Sequence, residues 1–559
     1  MPDLVDAPSR GVDEEAVAGH VRAAGHEAQG RSSFWRHWPL LPILALAAAL
    51  RLWGLGSQPV LFFDSGVYLG EGTFLASVAE RAAGALVSPA PGGPLARIVQ
   101  ATEHGTDGHP PDIAKPGHAV LVGLAMLVFG KTVLAGGLVS GLAGVGTVAL
   151  TYALGVLGWS RWVALPAALV LAVSGQHLVY SREPLVEADG LFFATAAGLV
   201  YVCARRPRDL LLSGLLFGIS FTCNNRVAYV PLVLATAELP RILGRDWRGL
   251  LRTALPLGVG FAVPPFVFEL GYLALRGVAR LAGASPTWLD YGQQLAAFSR
   301  MNPPDRIRLD QWPTYFVDVA LMDGPLVLAL FVAGTLLVLG RGRSRADLLL
   351  LGSVLVPLAV YSVYSTGEVR MRHFSLALPW VALAAGVAIG RIAEAVRRPA
   401  LVSTALALGL VLLGLPRAVS LASAPSAMPG LVGAVGGRPV ASTNGPVLSF
   451  FVGEDHTNAR LRPAFVGMPA DLRELASGYE LMAVDMQAYL FPGELTDRYD
   501  RAPPLLSLPN GNDAWYLADL LEHHGVAWGG WADLLADWSA HAEAASRLQL
   551  YRMADLVGP

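Results

Sequence analysis

Apolar runs long enough to cross a bilayer recur along nearly all of the first 420 residues, and this constrains the fold more than any motif does. In hydrocarbon the backbone's polar groups are satisfied only inside helices or closed barrels, so runs of about 20 apolar residues dictate spanning helices. Only 15% of the residues are charged, against about a quarter in a soluble chain. The net charge of −2 gives no reason to expect nucleic acid as a partner. Cys203 and Cys223 fall near opposite ends of neighbouring apolar runs, which argues against a disulfide. The first 30 residues carry Asp3, Asp6, Asp13, Glu14 and Glu15, unlike the basic start and apolar stretch of a signal peptide. Residues 1–35 are expected to form a disordered cytoplasmic tail.

Arginines set the sidedness. Arg31, Arg36 and His37 precede the first run, 38–55, so the positive-inside rule puts the tail in the cytoplasm and residue 56 outside. The stretch 117–130 is too short to cross and is expected to lie in the interface. Spans then follow at 133–156, 162–180, 188–204, 209–223, 227–239, 253–275, 313–340, 347–365, 373–390 and 400–417. With about eleven spans, all four arginine-rich short loops land in the cytoplasm; a crossing at 117–130 would put them all outside. The expected fold is therefore a mostly α, polytopic membrane protein. Residues 36–419 form its membrane domain, with interfacial helices in the first outer loop, 56–116. Residues 420–559 turn mixed in character. Strand-like pieces (RPVASTN, PVLSFFV, YELMAVDMQ) and helix-like ones (DAWYLADLLEHHG, WADLLADWSAHAEAASRL) predict a small extracytoplasmic α/β domain.

Parity places a set of ionisable groups on the outer side, where they are costly near lipid and tend to mark function. Asp64, in LFFDSGVYLGEG, is either the cap of an interfacial helix or a base whose pKa is raised by apolar surroundings. The turn 181–189 holds Arg182, Glu183, Glu187 and Asp189. Its acids either cap the following helix or face the same cavity as Asp64, with Arg182 pairing an acid or a phosphate. Lys115, Arg226, Arg370 and Arg372 suit a lipid phosphate as a set, although each alone could anchor to headgroups. Arg51 is expected to snorkel. His104, Asp107 and His109 in EHGTDGHPP can be read as metal ligands, although their spacing matches no familiar site.

These motifs, in this order and on one side, resemble the GT-C superfamily of membrane glycosyltransferases. The likeness is to its protein O-mannosyltransferase and aminoarabinose transferase group, family 39-like. Asp64, Tyr68 and Gly72 are similar to the family's first-loop acid followed by Tyr. Lys115-Pro116, leading to Phe129-Gly130, is similar to its Lys-Pro motif, and YSREPLVEADGLFF to its second outer loop. Arg372-His373-Phe374 with Leu378-Pro379 is similar to its Arg-Tyr and Leu-Pro near the last spans. Ser65 stands where a second acid is usual, and Glu187 where an Asp is.

The resemblance implies a GT-C fold over roughly 35–420 and a sugar donor on a polyprenyl phosphate. It also implies inverting transfer to a protein, lipid or glycan hydroxyl on the outer face of the membrane. Such a leaving group needs no general acid, so one carboxylate suffices as base, and Asp64 is the candidate. Lys115, Arg372, Arg226 and Arg182 are the candidates for the donor phosphate. Glu187, Asp189 and Tyr68 are the candidates for sugar or acceptor. Trp288, Tyr291 and Trp312 are expected in a covering loop or in an aromatic belt. No cofactor is required, and a divalent metal is left open. The alternatives are a transporter or lipid flippase, which would want midplane charges, and a non-catalytic scaffold with an outer binding domain.

Overall fold

The computed structural model describes residues 37–87, 115–281, 291–293, 295–296, 309–341, 344–363, 370–396, 398–452, 469–490, 494–526 and 530–557. The expectations for the tail 1–35, for His104, Asp107 and His109 and for Trp288 lie outside them.

Among the described residues, seven helices are long and apolar enough to cross a membrane, or eight if the bent pair Arg161–Val173 and Gly175–Arg182 is one span. Of the other expected spans, 209–223 is the 17-residue helix Pro207–Cys223, and 227–239 is made of the short helices Asn225–Tyr229 and Val230–Ala237. The expected span 313–340 is not continuous. It breaks between Thr314–Met322 and Pro325–Arg341, where Gly324 takes a φ of 99° that a side chain would disfavour. Pro116–Phe129, 14 residues long, is a separate short apolar helix, as its length predicts.

Side-chain contacts show which helix ends share a side. At one end Glu238 accepts from Tyr201 Oη at 2.5 Å and from Arg241 at 2.5 Å, with Arg345 at 3.8 Å. Trp159 Nε1 donates to Asp347 at 2.9 Å at the same end. Three of the four arginine-rich loops thus gather together, while the opposite helix ends carry Asp64, Glu187, Arg226 and Arg372.

Two arginines play parts the sequence did not suggest. Arg51 is fully buried and does not snorkel: it donates to Leu171 O at 3.0 Å and Ala172 O at 2.9 Å. Those carbonyls lose their helical partners where the chain bends by 59° at Ser174. Arg182 donates to Leu50 O at 2.8 Å and Trp53 O at 3.1 Å, closing the end of the first span in the same way.

The C-terminal segment carries a four-stranded sheet ordered β1-β2-β4-β3, from β1 (Val440–Ser442), β2 (Leu481–Val484), β3 (Leu506–Pro509) and β4 (Arg547–Arg552). β1 and β2 are parallel; the other pairs are antiparallel. Helices Asp513–His523 and Trp531–Ala545 fall where the sequence predicts them. PVLSFFV is not a strand but lies in the helix Gly445–Val452, with Val447 and Leu448 buried. A short continuous apolar run carries no period to tell the two apart. That helix crosses the first-loop helix Phe63–Val87 at Gly66, where a Cβ would come within 2.3 Å of Val447 N. The C-terminal segment is thereby seated against the turn of the first-loop helix that carries Asp64.

Candidate active site

Four segments far apart in sequence meet around Asp64. The first-loop helix Phe63–Val87 brings Asp64 and Tyr68 onto one face, with Gly66 on the opposite one. Lys115 sits at the N-terminus of Pro116–Phe129, where Pro116 fixes the first turn. Gly117 lets this helix approach the end of Pro207–Cys223; a Cβ there would lie 2.6 Å from Thr222 Oγ1 and 2.8 Å from Cys223 N. Arg226 follows directly in the next turn, so the close approach sets Lys115 beside it. Arg372 comes from the turn Met371–Ala377, which opens the helix Leu378–Ala395.

The carboxylate of Asp64 accepts from Arg372 Nη1 at 2.6 Å. It is used in this pair and not as a helix cap. Lys115 donates to the Tyr68 hydroxyl and lies 4.7 Å from the centre of that ring. Arg226 pairs with the buried Glu187. Arg372 Nε pairs with Glu522, a buried acid from the helix Asp513–His523 of the C-terminal segment. Glu522 also accepts from the Tyr180 hydroxyl. Tyr68, Lys115, Glu187, Arg226 and Arg372 are thus gathered with Asp64.

Two candidates have other partners. Arg182 spends its guanidinium on helix-end carbonyls and does not join the cluster. Asp189 Oδ2 lies 2.9 Å from His118 Nδ1, with both side chains buried, so it fixes the Lys115 helix from behind and is not presented to a ligand. Tyr291 is buried and its N–H donates to Glu269 at 3.0 Å, while Trp312 is partly exposed. Among the described residues no three metal-capable side chains gather.

Sequence reasoning missed Glu522, His118 and Gln487. His118 had a visible signal, a lone imidazole in an apolar helix. Glu522 had none, because nothing local in DAWYLADLLEHHG points to Arg372.

Electrostatics corrects one expectation. Burial works against charge on Asp64, but Arg372, Lys115 and Arg226 outweigh it and hold the carboxyl well below the usual range. It is a fixed anion and not the weakened acid that apolar surroundings alone would give. For Lys115, burial and then Arg226 bring the pKa down to about 8.

A cleft of about 320 Å³ opens on Asp64, walled by Phe62, Phe63, Arg370, Arg372, Gln487 and His523. The Asp64 side chain is 32% exposed, against 12% for Arg372.

Residues 109–268 match the dolichyl-phosphate-mannose-protein mannosyltransferase family, a stretch that holds Lys115, Glu187 and Arg226. No curated protein matches the chain. The fold is similar to that of the archaeal oligosaccharyltransferase AglB from Archaeoglobus fulgidus, solved with an inhibitory peptide and a dolichol-phosphate. That match has a TM-score of 0.56 and 13% identity, over 82% of this chain and 70% of that one. It is similar also to ArnT from Cupriavidus metallidurans bound to undecaprenyl phosphate, with TM-score 0.52 and 11% identity, over 95% of this chain and 100% of that one. Over residues 109–268 the chain is thus similar to a family of membrane glycosyltransferases, and over most of its length it shares the fold of AglB and ArnT.

Proposed function

We propose that the protein is an inverting glycosyltransferase. It moves a sugar from a polyprenyl phosphate to an acceptor hydroxyl on the extracytoplasmic face of the membrane. One observation carries the reading: a single part-exposed carboxylate, Asp64, shares its surroundings with three cations, Arg372, Lys115 and Arg226, delivered by three other segments. The donor class is supported by the two structural neighbours solved with dolichol-phosphate and undecaprenyl phosphate.

In this mechanism the acceptor oxygen attacks the anomeric carbon while the bond from that carbon to the phosphate oxygen breaks. The acceptor proton passes to Asp64, and the bonding pair leaves with the polyprenyl phosphate. Arg372, Lys115 and Arg226 stabilise the charge that grows on the phosphate. Asp64 is a weak base at rest, which suits a transfer in which the hydroxyl becomes acidic only as its bond to carbon forms. Donor phosphate entering the cluster draws on Arg372 and Lys115, and so returns basicity to Asp64. Glu187 orients Arg226, and Tyr68 orients Lys115.

The test is transfer from radiolabelled polyprenyl-phosphate sugars by the purified protein in liposomes. Label is expected in an acceptor, or in free sugar by transfer to water. Movement of intact donor across the bilayer without cleavage would instead establish a flippase. Sidedness is checked by impermeant labelling of single cysteines placed at 57 and 244, which should react from outside and inside respectively; the reverse result overturns the orientation.

A further inference from the structure

The cleft beside Asp64 is built from both parts of the chain. Phe62, Phe63 and Arg372 come from the membrane part, and Gln487 and His523 from the C-terminal segment. Lys115, Tyr68 and Arg226 do not line it. Asp64 thus faces Lys115 and Arg226 on one flank and, on the other, an opening lined by Phe63, Gln487, His523 and the arginines Arg370 and Arg372, where an acceptor could reach it.

The wall of this opening is held rigidly. Gln487 Nε2 donates to Asp519 Oδ2 at 2.7 Å and to Leu61 O at 3.3 Å, and Asn444 Nδ2 donates to the same Leu61 carbonyl at 2.9 Å and to Asp485 Oδ2 at 3.1 Å. Two acceptors facing Nε2 fix which end of the amide is which. That leaves Gln487 Oε1, on a side chain only 1% exposed, without a hydrogen-bond partner. A buried acceptor left unmatched costs about 1–3 kcal/mol, and such groups call for an explanation. A hydroxyl entering the cleft supplies the missing donor.

We propose that the C-terminal domain completes the acceptor subsite and that its occupant is a carbohydrate, one hydroxyl at Asp64 and a second donating to Gln487 Oε1. The inference rests on the reading of Asp64 as the base. The cleft's volume is at the small end of ligand pockets. A cleft of about 320 Å³ suits a sugar unit better than an extended peptide strand, which needs a groove along its backbone. Phe63, half-buried in the cleft wall, offers apolar surface to the C–H face of a sugar ring.

The experiment uses the full-length protein with radiolabelled polyprenyl-phosphate sugars and two acceptor sets, methyl glycosides with disaccharides and short Ser/Thr peptides. Glycosides are expected to take the label, and peptides are not. Gln487→Met is expected to raise the acceptor KM about tenfold while leaving the donor KM and the transfer of sugar to water unchanged. A thermal melt confirms that the variant is folded, and the acceptor preference of the unaltered protein needs no variant. Labelled peptides with unlabelled glycosides, or an unchanged acceptor KM in folded Gln487→Met, overturns the carbohydrate subsite while donor turnover upholds Asp64's role. Absence of any donor cleavage overturns both.

Discussion

Replacing Asp64 by Asn separates charge from base in one step. The side chain keeps its size, so Arg372 still finds an oxygen where Oδ2 lies at 2.6 Å. The amide cannot accept the acceptor proton, and positioned bases contribute about 10²–10⁴-fold, so kcat is expected to fall by that factor. Donor binding is expected to move the other way. Three acids (Asp64, Glu187, Glu522) balance three cations (Lys115, Arg226, Arg372) in the cluster, and the variant leaves it with one net positive charge. A unit charge about 8 Å from the phosphate is worth about 2 kcal/mol at an effective dielectric of about 20. Asp64 is 32% exposed, and screening reduces this to about 1 kcal/mol, or about fivefold tighter donor binding. Single-turnover transfer measures the chemistry, and equilibrium binding of a polyprenyl phosphate to purified protein measures the affinity. A rate within about tenfold of the unaltered enzyme, or weaker lipid binding in a folded variant, would refute the assignment of Asp64 as base in a cation-rich phosphate site.

Three further outcomes are expected. Lys115, with its pKa brought down to about 8, loses its charge in the donor-free enzyme above that pH, so donor KM should rise by up to about tenfold per pH unit beyond it. Lys115→Arg should flatten that rise, and a donor KM independent of pH from 7 to 10 would count against Lys115 as a phosphate ligand. In Gly117→Ala the added Cβ meets Thr222 Oγ1 at 2.6 Å and Cys223 N at 2.8 Å; overpacking of this kind costs about 1–3 kcal/mol and should lower the Tm while raising donor KM. In Arg182→Met the Leu50 and Trp53 carbonyls lose their donor; stability should fall by about 1–3 kcal/mol with donor KM unchanged, and a raised donor KM would return Arg182 to the phosphate site.

The membrane architecture was legible because hydrocarbon admits so few backbone arrangements, and because arginine loops record sidedness independently of span length. Parity alone brought Asp64, Lys115, Glu187, Arg226 and Arg372 to one side, and the structure gathers them. Parity says nothing of depth or direction. Arg51 and Arg182 sat in the same outer segments, yet their guanidiniums turn inward, because a broken helix and a span end leave carbonyls that a nearby arginine satisfies. For Arg51 that need arises from the break at Ser174, whose local signal is the Ser174-Gly175 pair where GQHLVYSR begins. Asp189 failed for a related reason: two residues beyond Glu187 on a helix it faces elsewhere, and it meets His118. Glu522 could not be foreseen, since its role depends on how a whole domain lands on Gly66.

The balance of charge in the cluster bears on why an acid of the C-terminal segment is needed at all. A sugar phosphodiester brings one negative charge, and the departing lipid phosphate carries up to two. On the proposed mechanism Asp64 becomes neutral as it takes the acceptor proton, so the cluster gains one positive charge as the phosphate gains its second negative one. The sum is the same before and after, and no ion need enter a poorly solvated site. This holds only if Asp64 is the one acid that changes protonation. Glu187 and Glu522 are each buried and tied to an arginine. Without Glu522 the resting site would carry an extra positive charge. Arg372 would then lose the carboxylate on its Nε that keeps its Nη1 aimed at Asp64. Glu522→Gln is therefore expected to keep donor affinity or improve it, while lowering kcat as Arg372 loses its fixed orientation. Weakened donor binding with normal kcat would show that Glu522 acts on the donor and not through Arg372.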